Sequence, residues 1–267
     1  MNPILLEIGF FRIYWYSLAI LVGATLGCYI FYKEAIKRGL TDKFLEDLIF
    51  GTVLSGIIGA RIYYCLFEIG YFINNPLEIL AIWNGGLAIH GGIIFGAAFI
   101  IYYSKKHKVN FLKIFDMAAP GLILAQAIGR WGNFFNGEAH GPEVTRQVLE
   151  KLLIPGFVID GMNILGVYYH PTFYYEFLWN LLGFIVLIIL RKKKKFRNGT
   201  LTGIYFMHYS FARFFIELMR TDSLMIGPIK VAMLVSAILF ILGAFLVFYK
   251  EKDSRVKRLT KGEHYEN

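Results

Sequence analysis

Cysteine and charge are both scarce in this chain of 267 residues. The 2 cysteines, Cys28 and Cys65, lie in apolar runs, with no C-x-x-C pair and no ligand-like spacing to histidine. Neither a disulfide framework nor a structural zinc is expected from that pattern. Charged residues make up 18% of the chain and hydrophobic ones 57%, against roughly 45–50% apolar in soluble domains. With a mean hydropathy of +0.53, the composition argues against a soluble domain and for a polytopic membrane protein. The N-terminus carries Glu7 and Arg12 but no basic stretch, and no A-x-A-like site follows. The first apolar run therefore reads as a retained helix rather than a cleaved signal peptide. No metal or nucleotide motif is present, so neither a metal nor a cofactor is expected.

Long apolar runs are what the chain has in quantity. A membrane-spanning helix needs about 20 largely apolar residues. About seven runs answer to that: residues 13–32, 44–67, 87–104, 114–129, 171–190, 199–219 and 229–249. The fourth is short and interrupted by Pro120-Gly121. The expected fold is an all-α membrane protein, a polytopic bundle of about seven transmembrane helices. One integral membrane domain covers residues 1–250, with a short outer segment near 137–170 and a basic tail at 251–267.

The net charge of +9 raises the question of nucleic acid, and its distribution answers otherwise. Lys33, Lys37, Arg38 and Lys43 follow the first span, and Lys105, Lys106, Lys108 and Lys113 the third. Arg191, Lys192, Lys193, Lys194, Lys195 and Arg197 follow the fifth; Lys250, Lys252, Arg255, Lys257, Arg258 and Lys261 follow the seventh. Lys and Arg concentrate in cytoplasmic loops. This pattern puts the N-terminus outside and the C-terminus and tail in the cytoplasm. The same runs favour an anionic bilayer surface, and no nucleic-acid partner is expected. Gly51, Ser55 and Gly59 in the second span, and Gly92 and Gly96 in the third, have the spacing of close helix packing.

The topology gathers the remaining polar groups in the outer half of the membrane. Arg61 falls in the outer third of the second span, and His90 opens the third after Gly85-Gly86. Arg130 ends the fourth, Glu176 lies in the first turns of the fifth, and Tyr14 and Tyr16 open the first. In the sixth span Tyr209, Arg213, Glu217 and Arg220 share one helix face, and Arg213 can pair with Glu217 at i,i+4. Arg61 contacts substrate, or else it snorkels or pairs with a carboxylate. Asp116 reads as a helix cap, and His170-Pro171 as a helix start.

The stretch from Gly129 to Gly141 is the most informative. It sets Arg130, Asn133, Asn136, Glu138 and four glycines at the end of a hydrophobic run. Unpartnered polar groups are costly at that depth, and glycine lets backbone and ligand approach closely. An anionic substrate at the membrane is the first expectation. Glu138 can serve as a base or hold an arginine.

The chain resembles the prolipoprotein diacylglyceryl transferases. The signature is Gly129-Arg130-x-Gly132-Asn133-Phe134-x-Asn136-x-Glu138-x-x-Gly141. Further likeness lies in Trp15-Tyr16, Gly59-x-Arg61, Trp83-Asn84-Gly85-Gly86 with His90-Gly91-Gly92, His170-Pro171-Thr172 with Tyr175-Glu176, and Tyr209-x-x-x-Arg213. Tyr14 stands where many relatives have His, and Asn84 where many have Asp. The outer segment from Glu143 to Tyr169 is short, which implies a reduced head.

The resemblance implies a multi-pass enzyme of the bacterial cytoplasmic membrane with its active site toward the outer leaflet. Its partners would be phosphatidylglycerol, the bilayer, and the signal peptide and lipobox cysteine of a prolipoprotein. It implies diacylglyceryl transfer to the thiol, a thioether product and released glycerol phosphate. Arg130 and Arg213 would bind and stabilise the phosphate. His90 is the candidate base, a role that Glu138 or Tyr16 could share or take over. Asn133, Asn136, Gly141, Arg61, Tyr209 and Glu176 would contact substrate. The rival readings are an anionic-solute transporter and a non-catalytic scaffold for signal peptides. The clustering of polar groups toward one face speaks against the first.

Overall fold

The computed structural model describes residues 3–8, 11–193, 196–220 and 225–248. Lys194, Lys195 and the basic tail lie outside them. Two antiparallel strands, β1 (Ile4–Ile8) and β2 (Phe11–Tyr14), come first. They place Glu7 opposite Arg12, whose Nε donates to the Glu7 carboxylate at 2.7 Å. Then follow α1 (Trp15–Lys37), α2 (Asp42–Phe67), the short α3 (Ile69–Asn74), two 3-10 turns (Pro76–Leu80 and Ile82–Asn84), α4 (Ile89–Lys106) and α5 (Phe111–Asn136). A connecting segment holds β3 (Glu143–Val144), α6 (Arg146–Lys151), α7 (Gly156–Gly161), β4 (Asn163–Ile164) and β5 (Val167–Tyr169). The chain continues with α8 (Thr172–Arg191), α9 (Thr200–Met219), the strand pair β6 (Met225–Ile226) and β7 (Ile229–Lys230), and α10 (Val231–Phe248).

Each expected span overlaps one long helix. Five of these, α1, α2, α5, α8 and α10, are long and apolar enough to cross a membrane. The other two have comparable length but more polar content: α4 carries His90, Lys105 and Lys106, and α9 carries Arg213 and Glu217. The protein is thus mostly helical, with the composition of a helical membrane protein.

The fourth run differs from expectation. It is a continuous helix of 26 residues with Pro120 inside it. Proline removes one ladder hydrogen bond, a loss that membrane helices tolerate when neighbours re-satisfy the freed group. The adjoining Gly121 serves a contact: a Cβ there would lie 2.4 Å from the Gly27 carbonyl oxygen of α1. The Pro-Gly pair therefore accompanies a helix crossing and does not end the span.

The chain divides into two compact units. One includes Tyr32 to Ile114; the other combines the described residues up to Phe31 with those from Phe115 to Phe248. In the first, α2 and α4 pack at near-backbone distance. A Cβ on Gly91 would lie 2.2 Å from the Gly59 carbonyl oxygen, so only glycine allows this approach.

In the second unit, Ala119, Ile123, Leu187, Leu201 and Tyr205 form an apolar core. Asp116, expected to cap its own helix, caps α9 instead. Its carboxylate accepts from Gly199 N at 2.7 Å, Thr202 N at 2.8 Å and the Thr202 hydroxyl at 2.6 Å. Position 116 lies inside α5, where the early N–H groups of α9 are the orphan donors that need an acceptor. The connecting segment is short but folded. Its strands pair in the order β3-β5-β4. Leu149, Val158, Ile159 and Met162 pack there against Phe134 and Phe173 from the adjoining helices.

Candidate active site

Three helices of the second unit converge on one carboxylate. Glu176 stands one turn into α8 and accepts from Arg213 of α9 at 2.8 Å through Oε1. Its Oε2 pairs with Nε of Arg130 near the end of α5. Arg213 also pairs with Glu217, one turn on, at 2.7 Å, the i,i+4 contact that the sequence suggested. The side chains are only 6% (Glu176) and 2% (Glu217) exposed, and those of Arg130 and Arg213 18% and 15%. Two guanidinium and two carboxylate groups cancel in charge, which is how buried ions persist in an apolar bundle.

Both arginines share Glu176, and among the described residues Arg213 alone takes Glu217 as well. Arg130 is joined to Glu176 through Nε, so its terminal nitrogens keep the planar fork suited to two phosphate oxygens. The Tyr209 and Tyr16 phenols lie close enough to act on the Arg130 charge. Tyr16 is admitted by Gly132: a Cβ there would lie 2.4 Å from the Tyr16 ring. Trp15, beside it, stacks on Phe135 of α5 at 4.7 Å between ring centroids.

The end of α5 forms a second group. Gly137 has φ +66°, the left-handed conformation that closes helices. The chain then turns so that the exposed Glu138 accepts from the carboxamides of Asn133 at 3.1 Å and Asn136 at 3.2 Å. Of the two sequence readings for Glu138, a base or a partner for arginine, the second is replaced: among the described residues it holds the two amides. Gly141 donates its N–H to the His170 carbonyl at 2.8 Å. A Cβ there would lie 2.9 Å from the His170 Cβ, so the glycine lets the motif loop lie against the start of α8. Thr172 ties the same place by donating to the Ala139 carbonyl. The half-buried His170 contacts the Tyr175 hydroxyl at 3.0 Å, and burial lowers its pKa.

Arg61 and His90 belong to the other unit. Arg61 is buried and donates to the carbonyls of Ile79 at 2.9 Å, Gly85 at 2.8 Å and Gly86 at 2.9 Å, and to that of Glu78. Tyr64 and Phe72 flank its guanidinium. A substrate contact was the expectation for Arg61, with a carboxylate partner as its alternative. The structure gives it backbone carbonyls in place of that carboxylate. Four of its five N–H donors are used in gathering the turns that lead to α4. Ala88 N–H, donating to the Ala60 carbonyl at 3.0 Å, fixes the same approach. His90 follows in the first turn of α4, exposed, with its ring 6.1 Å from that of Tyr63.

One contributor escaped the sequence reading. Lys230 donates to the carbonyls of Glu217 at 2.6 Å and Arg220 at 2.8 Å. Its ammonium thereby caps the C-terminal end of α9, the helix that carries Arg213. The only signal was a lone lysine immediately before an apolar run.

The family model for prolipoprotein diacylglyceryl transferase matches residues 3–249. Similar proteins include the phosphatidylglycerol–prolipoprotein diacylglyceryl transferase of Staphylococcus xylosus, 46% identical over 259 residues, which are 97% of this chain and 92% of the relative. The enzyme of the same name from Bacillus cereus is 45% identical, over 94% of this chain and 93% of its own. That from Listeria innocua is 46% identical, over 94% and 90%.

Proposed function

The chain belongs to the prolipoprotein diacylglyceryl transferase family, and we propose from that premise that it transfers the diacylglyceryl group of phosphatidylglycerol to the lipobox cysteine thiol of a prolipoprotein. The observation that carries the reading is the pair Arg130 and Arg213, held ready on the two oxygens of Glu176.

The thiolate sulfur attacks the glyceryl carbon that bears the phosphate. A C–S bond forms, the C–O bond breaks, and glycerol phosphate leaves with the electron pair. The leaving phosphate gains charge in the transition state, and preorganised guanidinium groups stabilise it most there. Glu176 and Glu217 hold the two arginines apart and aligned, so little reorganisation accompanies the reaction. Tyr16 and Tyr209 add donors beside Arg130. Asn133 and Asn136, oriented by Glu138, bind the head-group hydroxyls, and Gly141 keeps the motif loop close enough to do so.

A free thiol has a pKa of about 8.5, so a base is needed near neutral pH. His90 takes that proton, with Glu138 and Tyr16 as its alternates. Arg61 presents His90 by holding the turns before α4. The reading places all seven long helices across the bacterial cytoplasmic membrane, with the N-terminus outside and the tail in the cytoplasm. Residues 1–250 act as one catalytic domain, with the 137–170 segment outside and the site opening toward the outer leaflet. The acyl chains then stay in lipid while the glyceryl carbon reaches the thiol.

The test uses purified protein in phosphatidylglycerol micelles with a lipobox peptide. The peptide gains the mass of one diacylglyceryl group, and one glycerol phosphate appears for each peptide modified. Folded protein that leaves the peptide mass unchanged would refute the reading.

A further inference from the structure

One helical turn from the Arg130–Glu176–Arg213 cluster, the same three helices present a second polar layer. Gln126 precedes Arg130 by four residues, Asn180 follows Glu176 by four, and Ser210 precedes Arg213 by three. Those offsets keep each residue on the face of its charged neighbour. Contacts between α8 and α9 set the level. Trp179 Nε1 donates to the His208 carbonyl at 2.9 Å, and His208 Nε2 lies 2.9 Å from the Trp179 carbonyl. The Gln126 side chain bonds the Tyr205 hydroxyl. Just beyond, Gly183 faces His208 and Ile123 so tightly that a Cβ would lie 2.5 Å from both. The layer therefore has the ion cluster on one side and close packing on the other.

This layer is polar and incompletely paired. Asn180 is 2% exposed and Ser210 1%. Among the described residues, Asn180 Nδ2, Ser210 Oγ and Gln126 Oε1 are buried with no hydrogen-bond partner. Buried polar atoms are nearly always paired, and leaving one unmade costs more than a made bond returns. Three orphans on three facing helices, beside a charge cluster, point to something that they bind.

We propose that the layer binds an ester carbonyl of the lipid substrate. The proposal rests on the transferase reading above, which puts the lipid phosphate on Arg130 and Arg213. A glycerolipid places its ester carbonyls a few bonds from the phosphorus, a separation comparable with one helical turn of about 5.4 Å. A carbonyl oxygen only accepts, and Asn180 Nδ2 and the Ser210 hydroxyl are donors. The Gln126 amide offers its nitrogen on a half-turn, with the Tyr205 hydroxyl exchanging its role. Gripped at both phosphate and carbonyl, the glyceryl carbon between them is fixed for attack.

The test compares diester phosphatidylglycerol with its diether analogue, which keeps the phosphate and lacks the carbonyl. Binding is read without turnover, from the lipid-dependent rise in Tm of the purified protein. Wild type should bind the diester about fivefold more tightly than the diether, the worth of roughly one hydrogen bond. Asn180→Leu and Ser210→Ala should each lose most of that preference; the serine change, removing one oxygen, guards against a misfolded leucine variant. A diester preference retained in both variants, or absent from wild type, overturns the proposal and leaves ordered water as the partner of the orphan atoms. A lack of thioether product in a parallel transfer assay would count against the reaction, while the lipid comparison still decides the subsite.

Discussion

Glu176 and Arg213 meet at 2.8 Å between α8 and α9, and the other oxygen of that carboxylate takes Arg130 from α5. One side chain thus sets the spacing of both arginines. Removing one partner of a buried ion pair is worse than never having had the pair, because a charge is left uncompensated.

Glu176→Gln keeps the shape and removes the charge. We expect a loss of about 3–5 kcal/mol in stability, seen as a lowered Tm in detergent, and transfer slowed by roughly 100-fold. An unchanged Tm would mean that the arginines do not depend on this carboxylate.

Gly132→Ala drives a methyl into the Tyr16 ring, whose nearest atom would lie 2.4 Å away. Overpacking of this kind costs about 1–3 kcal/mol, and Tyr16 must move from its place near Arg130. Transfer should fall by at least about tenfold, in line with the role of positioned groups. Gly129→Ala is the control: nothing lies within 4 Å of a Cβ there, and alanine is the better helix former by about 1 kcal/mol. That variant should be active and no less stable. Equal transfer rates from the two variants would separate Tyr16 from the site.

The contrast between these glycines shows what was readable beforehand. Both stand in one signature, and no sequence pattern tells which of them faces an aromatic ring. Apolar runs overlapped the seven long helices of the described residues, five of which are long and apolar enough to cross a membrane. The Arg213–Glu217 pair was legible because i,i+4 geometry is local. Glu176 as a bridge, Asp116 as the cap of a distant helix and Arg61 on four carbonyls were not, since each partner comes from another element. Pro120 misled because its local effect was outweighed by the Gly27–Gly121 approach. The β1–β2 pair escaped notice because its residues are as apolar as the helix that they precede.

Stability should also report on His170, whose pKa burial holds below its usual 6.5. The folded state then binds fewer protons than the unfolded chain in that range, so stability falls as pH drops from about 6.5 toward the folded value. The Tm of wild type should decline over that window, and His170→Gln should lessen the decline. Parallel pH profiles for the two proteins would remove this linkage.

Arg61→Lys keeps the charge but replaces a planar fork by a single ammonium, with three donors in place of five. The turns at 78–86 should loosen. Hydrogen exchange at their amides should speed up by about tenfold or more, and transfer should drop with it. Unchanged exchange there would show that the carbonyl contacts do not hold the segment.

The most direct measurement compares wild type, Arg130→Lys and Arg130→Ala in phosphatidylglycerol micelles with a lipobox peptide, following peptide mass and released glycerol phosphate together. The account predicts one glycerol phosphate per diacylglyceryl peptide for wild type. It predicts a loss of about 100- to 1,000-fold in rate for the lysine variant as well as the alanine one, since both lack the fork that meets the leaving phosphate. Near-full transfer by Arg130→Lys would contradict it.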